Sequence, residues 1–180
     1  MDRSKEAIDL DKRLMSIFAN INSWLKFAEA KNLALITFCT ALLVCDIQLL
    51  KDLHETHYLL LGQYFILLLV GTISFALVSV FAQMDNREEF KKHLALQDSY
   101  NLLYYGDIAN MDDMTYLTNF YKRYYPDFDI EGNISGYQMD LAKQIIINSR
   151  IVVRKNNSFN RSVSFFIAGV IDGIGIFFLT

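Results

Sequence analysis

The sequence has 180 residues, 53% of them hydrophobic, with one Pro, two Cys and a formal net charge of -3. That length suits one compact domain or one built around a membrane anchor, and the near-neutral charge gives no whole-chain argument for nucleic acid. Cys39 and Cys45 fall inside one apolar run, which supplies neither a spaced disulfide framework nor a metal cluster and marks both as membrane-buried apolar residues.

The opening residues MDRSKEAIDLDKR are densely charged and lack the apolar core and small-residue cleavage site of a signal peptide. No lipidation motif is present at either end. Apolar residues then recur as Ala7, Leu10, Leu14, Ile17, Ile21, Trp24 and Ala28. Alternating steps of three and four give a helix with one apolar stripe, suited to a partner helix in a coiled coil or to the bilayer surface. Asn20, Asn22 and Ser23 predict a break, with Ser23 capping the helix that enters the membrane.

Spanning a bilayer takes roughly 20 largely apolar residues. Residues 33–50 form one such segment, with Asp46 and Gln48 near its outer end, where they reach water easily. Residues 58–82 form a stronger one, in which Gln63 is the one strongly polar side chain. Residues 163–179 form a third, short and interrupted by Asp172. The loop KDLHETH holds a single basic residue, Lys51. Lys26 and Lys31 precede the first segment, Arg87, Lys91 and Lys92 follow the second, and Arg154, Lys155 and Arg161 precede the third. The positive-inside rule then puts the N-terminus and residues 83–162 in the cytosol, with the short loop and the C-terminus facing outward. The expected fold is an all-α membrane protein divided at residues 1–31 (amphipathic or coiled-coil helix), 32–82 (two-helix membrane hairpin), 83–162 (helical sensor domain) and 163–180 (third membrane helix).

Between the second and third segments, residues 88–104 read as a polar helix that Tyr105-Gly106-Asp107 breaks. Asp112 or Asp113 caps a short helix that stops at Tyr125-Pro126, because the residue before proline is pushed away from helical angles. PDFDIEGNISG is a loop, and residues 137–155 are helical again, leading through Asn156-Asn157-Ser158 to the last membrane segment. On that helix Lys143, Arg150 and Arg154 share a face by spacing, flanked by Gln144, Asn148 and Lys155. Eight of the ten Tyr lie between residues 100 and 137. A basic face near aromatic rings suits a ligand carrying phosphates and stackable bases. The same cations would serve equally as positive-inside charges, and the tyrosines as core residues.

An acid in hydrocarbon normally faces a partner, a bundle interior or water. Asp172 lies within GVIDGIG, where Gly169 and Gly173 form a G-x-x-x-G pair that permits close helix approach. Three helices per chain cannot enclose a roomy pore, so any pore needs several copies. Nucleophile elbows, P-loops, dinucleotide-binding glycines and H-E-x-x-H are absent from the sequence, and His54, His57 and His93 are not grouped as metal ligands. The sequence reads as no enzyme, with no cofactor and no metal.

Three blocks resemble a known family. NSWLKFAEAKNLALITF (residues 22–38) is similar to the entry to the first membrane helix of the Pycsar-type transmembrane effectors and their relatives in cyclic-oligonucleotide (CBASS) defence, with Ala28, Lys31 and Asn32 at the polar positions. YYGDIANM (residues 104–111) resembles that family's aromatic-Gly-Asp turn. DLAKQIIINSRIVVRKNNSFNRS (residues 140–162) resembles its basic helix, with Asn148, Ser149, Lys155 and Phe159 at matching positions.

The resemblance implies a bacterial anti-phage effector, multi-pass in the inner membrane with a cytosolic N-terminus. A partner nucleotidyltransferase would make a nucleotide second messenger that opens a homo-oligomeric pore. In the Hailong-type relatives, short single-stranded DNA holds a similar protein closed. The departure is a cytosolic domain of about 80 residues with no appended ligand module, so recognition would be shared between subunits. On this reading Lys143, Asn148, Arg150, Arg154 and Lys155 hold phosphate, while Tyr104, Tyr105, Tyr124 and Tyr125 stack bases. Asp172, Gly169, Gly173, Asp46 and Gln48 line a pore or gate, and four copies are the working stoichiometry. The competing reading is a membrane adaptor without a pore, recruiting a protein through its cytosolic helices.

Overall fold

A computed structural model describes residues 3–51, 56–80, 100–126 and 134–179. Among the described residues there are five α-helices and no strand: α1 (Arg3–Leu50), α2 (Thr56–Val80), α3 (Tyr105–Ile108), α4 (Asp113–Tyr124) and α5 (Gly136–Leu179). The chain forms two compact units, one of Met1–Phe27 with Gln83–Val153 and the other of Ala28–Ala82 with Arg154–Thr180. The two long helices, α1 and α5, supply residues to both.

In the first unit the N-terminal stripe finds its partners within the chain. Leu10, Leu14, Ile17 and Ile21 are buried in one core with Tyr116, Leu117, Phe120 and Tyr121 of α4 and Leu141, Ala142, Ile145 and Ile146 of α5. The expected break at residues 20–23 is absent, and α1 runs straight through them. The Ser23 hydroxyl donates to the Asn20 carbonyl at 2.8 Å, and the Asn22 side-chain oxygen accepts from Asn148 at 2.7 Å. Trp24, the next stripe position, is exposed.

The expected polar helix over residues 88–104 lies mostly outside the described residues; its last five, 100–104, form a turn instead. Asn101 causes it, its side-chain oxygen accepting from the Leu103 amide at 2.9 Å and its carbonyl from the Tyr104 amide at 3.1 Å. Residues 105–107, expected as a breaker, make the short helix α3, and the Asp107 carboxylate accepts from the Asn101 amide at 2.8 Å.

α4 starts and stops as the sequence suggests. Asp112 accepts from the Thr115 amide at 2.8 Å and from its hydroxyl at 2.7 Å, and the helix ends one residue short of Tyr125-Pro126. Burial pushes the Asp112 carboxyl upward, but the Thr115 hydrogen bonds outweigh it and hold the acid below its ordinary value. The capping contribution is therefore present at neutral pH and is lost as pH falls through the folded pKa. Asp112→Ala is expected to cost about 1 kcal/mol, with Asp112→Asn largely sparing it, in melting curves of the purified protein.

α5 begins with a capping box. The Ser135 hydroxyl accepts from the Gln138 amide at 3.2 Å, and the Gln138 side-chain oxygen accepts from the Ser135 amide at 3.1 Å. Gln138 is buried and satisfied further, accepting from the Tyr121 hydroxyl and donating to Asp11, each at 2.8 Å. One side chain thus ties α5 to α4 and α1. The helix runs through Asn156-Asn157-Ser158 without interruption, so residues 163–179 continue α5 rather than start a new helix.

In the second unit, small residues let helices meet. Gly169 packs against Leu68 and Gly71 against Phe165, and the Tyr64 hydroxyl donates to the Gly169 carbonyl at 3.1 Å. Phe75 meets Phe165 edge-on at 5.4 Å, and Phe38 meets Phe166 at 6.2 Å. The outer surface carries Leu33, Phe38, Leu60, Leu67, Val78, Ile167 and Ile171, all exposed. Soluble proteins rarely show apolar surface in every direction. Two helices among the described residues, Ile8–Leu50 and Tyr58–Val78, are long and apolar enough to cross a bilayer. The architecture is that of an all-α membrane protein. Both cysteines are free, Cys39 packed inside and Cys45 on the apolar exterior.

Candidate functional site

Among its described residues the first unit has a groove of about 200 Å³ lined by Arg13, Ser16 and Ile17 of α1, Leu103 of the preceding turn, and Phe120 and Tyr124 of α4. It forms because Phe120 points into the core while Tyr124, one turn on, stays exposed, and their rings tilt against each other at 4.8 Å. A guanidinium stands at its edge. Arg13 Nε donates to Asp9 Oδ2 at 2.9 Å, and the Arg13 guanidinium lies over the Tyr125 ring at 5.6 Å. The Tyr125 hydroxyl donates to the same Asp9 oxygen at 2.8 Å.

These contacts set the charges. The Tyr125 hydrogen bond, with Arg13 second, holds the Asp9 carboxyl below its ordinary value. Burial first, then Asp9, pushes the Tyr125 phenol up to about 12. At neutral pH the cluster is a carboxylate, a guanidinium and a neutral phenol donor. The Arg13 side chain is 56% exposed, so an incoming anion reaches it at the cost of competing with Asp9.

A second aromatic array lies in the same unit. Trp24 meets Phe27 edge-on at 6.2 Å and Tyr105 at 5.7 Å, and Tyr105 meets Tyr104 at 4.6 Å. Gly106 allows this packing, since a Cβ there would fall 2.5 Å from the Tyr104 ring. Four rings in sequence, with Phe27, Trp24 and Tyr104 exposed, offer stacking surface.

The cations expected to bind phosphate are placed differently from one another. Lys143 is exposed and sits 3.7 Å from Asp140. Arg150 donates to the Ala109 carbonyl at 3.0 Å and to the Met111 carbonyl at 2.9 Å, fastening the segment between α3 and α4 to α5. Asn148 is engaged with Asn22. Arg154 and Lys155 belong to the second unit, where Lys155 is buried and lies 3.4 Å from Glu29. Asn32, also buried, donates to the Lys155 carbonyl at 3.5 Å. Arg150→Ala strands two carbonyls and is expected to destabilise the first unit by about 1–3 kcal/mol. Arg150→Lys is expected to rescue it poorly, because a single ammonium does not reproduce the guanidinium fork. Thermal melting of the two variants checks both.

Of the tyrosines, Tyr124 lines the groove, Tyr125 borders it through Asp9 and Arg13, and Tyr104 and Tyr105 belong to the ring array. Arg13, Ser16, Phe120, Trp24 and Phe27 were not anticipated. An arginine one turn after an aspartate at residue 9 was legible as a helix pair, but its meeting with residues 120–125 was not.

In the second unit Asp46, Gly169 and Gly173 line one cavity, whereas Gln48 and Asp172 are exposed on the chain's surface and do not.

Against known proteins, residues 13–180 match the PycTM family, described as the Pycsar effector protein domain. The chain belongs to the Pycsar effector family. It is similar to the Pycsar effector protein RsPycTM of a Rhizobium species, with 33% identity over 141 residues, covering 75% of each chain. No solved structure matches it. Family and fold together make it a membrane effector of Pycsar anti-phage defence. The match begins at Arg13 and takes in the groove on α1 and α4, the ring array and the whole second unit.

Proposed function

We propose that this Pycsar effector reads a nucleotide signal in its first unit and, as a homo-oligomer, permeabilises the bacterial inner membrane through its second. The first unit lies in the cytosol, and residues 163–179 complete three spans per chain. The signal is a cyclic nucleotide, or a short single strand, made by a partner nucleotidyltransferase, and the protein performs no catalysis of its own. Gating needs only that the ligand bind one of two membrane states better than the other. The observation that carries the reading is the Arg13 groove. It joins an accessible guanidinium, a hydroxyl at Ser16 and two aromatic rings in a volume of about 200 Å³.

That volume is below the roughly 300–1,000 Å³ of pockets that enclose a whole drug-sized ligand. It suits one base with its phosphate, leaving the remainder on the surface or against a second copy. The groove residues on α1 belong to the same unbroken helix as one apolar span, so occupancy is coupled covalently to the membrane unit. The adaptor reading draws on the cytosolic helices; of the N-terminal stripe, Leu10, Leu14, Ile17 and Ile21 are buried against α4 and α5 while Trp24 is exposed.

The test is direct binding of cyclic mononucleotides, cyclic dinucleotides and short DNA strands to the detergent-solubilised protein by calorimetry. Saturable binding of one class, weakened by Phe120→Leu and Tyr124→Ala, is expected. Binding by none of them, or binding indifferent to both substitutions, would remove the groove as the sensor.

A further inference from the structure

The second unit contains a cavity of about 450 Å³ that nucleotide reading does not use. α1 contributes Asp46, α2 contributes Tyr58, Tyr64 and Phe65, and α5 contributes Gly169 and Gly173. On the α5 side Val170 and Ile174 join the two glycines in the lining. A Cβ at Gly173 would stand 3.4 Å from the Tyr64 ring, and the Tyr64 hydroxyl is held to the Gly169 carbonyl at 3.1 Å.

Asp46 is the single charged residue among the described lining, and its Oδ2 is buried with no hydrogen-bond partner among the described residues. A buried carboxylate oxygen without such a partner is costly, and a cation beside it would relieve that cost. A bare metal ion would demand several oxygen ligands, and the lining offers one carboxylate amid apolar and aromatic carbon. Aromatic rings around a lone anionic group are instead the recognition chemistry of a large, weakly hydrated organic cation. The volume lies in the range that holds a small-molecule ligand.

We propose that this cavity binds a lipophilic organic cation, an alkyl- or arylammonium or its phosphonium equivalent, with its charge paired to Asp46 and its body among Tyr58, Tyr64 and Phe65. The ligand enters from the bilayer or its surface, one per chain, independently of whatever occupies the Arg13 groove. Asp46 then serves an internal site in each subunit rather than a shared pore axis.

The experiment uses the full-length protein in phosphatidylcholine nanodiscs and tritiated tetraphenylphosphonium, with protein-free nanodiscs as background. Saturable binding of one cation per chain is expected. It should weaken at least tenfold in Asp46→Asn, stay within threefold in Asp46→Glu, and be blocked by Ile174→Trp, which fills the cavity from an exposed position. Arg13→Glu should leave it unchanged. The proposal is overturned by the absence of saturable binding, by equal binding in Asp46→Asn, or by one cation per oligomer. It is overturned equally if Leu61→Cys cross-links between copies with the cation excluded, since a neighbouring chain then fills the space.

Discussion

Arg13→Glu is expected to weaken binding of the nucleotide signal by about tenfold to a hundredfold, and Asp9→Asn to strengthen it. The argument rests on which anion the guanidinium holds. Arg13 is paired with Asp9 at 2.9 Å while remaining half exposed. A phosphate arriving in the groove must take over that guanidinium, and a hydrogen bond between two charged groups is stronger than one between neutral groups. Reversing the charge removes that bond and adds repulsion. Neutralising Asp9 removes the competing carboxylate and one negative charge, with an expected gain of about threefold to tenfold, smaller because both groups face water. Calorimetric titration of the three proteins side by side checks this. A structural role for Arg13 alone would lower affinity in both variants, because both break the same pair.

pH should act in the same sense. The Asp9 carboxyl sits below its ordinary value, so its contribution to the first unit is present above the unfolded value and is lost as pH falls through the folded one. Ligand affinity should rise over that same window as Asp9 releases Arg13, until the phosphates themselves protonate.

Leu14→Ala is expected to cost about 2–5 kcal/mol, whereas Met15→Ala, one residue on, should cost under about 0.5 kcal/mol. Leu14 is fully buried in the core that α1 forms with α4 and α5, and Met15 is 45% exposed. For a unit of this size the first loss corresponds to a drop on the order of 10 °C or more in melting temperature. Thermal unfolding in mild detergent separates the packing of this stripe from a coiled coil. If the stripe served only to join copies, Leu14→Ala would shift the oligomer's mass and leave the melting of the first unit in place.

Much of this fold was legible because long helices announce themselves locally. The apolar windows of α1 and α2 need only length and composition, and α4 is bracketed by an Asp112 cap and a proline at residue 126. Continuity was harder to read. Asn20, Ser23, Asn156 and Ser158 look like breaks in one dimension, yet in three the Ser23 hydroxyl bonds the Asn20 carbonyl, the Ser158 hydroxyl bonds the Phe75 carbonyl of α2, and both helices run on. The spacing of residues 10, 14, 17 and 21 gave a stripe correctly but could not say what covers it, because periodicity reports a face and not its partner.

The proposed groove was less legible still. It joins residue 13 to residues 103, 120 and 124, and sequence carries no sign of such pairings. Basic residues on α5 drew attention by spacing, but Arg150 is engaged with two carbonyls and Lys155 with Glu29. The close approach expected of the Gly169 and Gly173 pair transferred directly, because it is a property of glycine itself.

The most direct test of the account is dye and ion release from liposomes carrying the purified protein, recorded alone and with cyclic nucleotides or short DNA strands. The account predicts release that one nucleotide class switches, on if it activates or off if it restrains, with the switch lost in Arg13→Glu while the oligomer stays intact. Vesicles that remain tight under every ligand, with the oligomer verified, would contradict it and return the chain to a membrane adaptor.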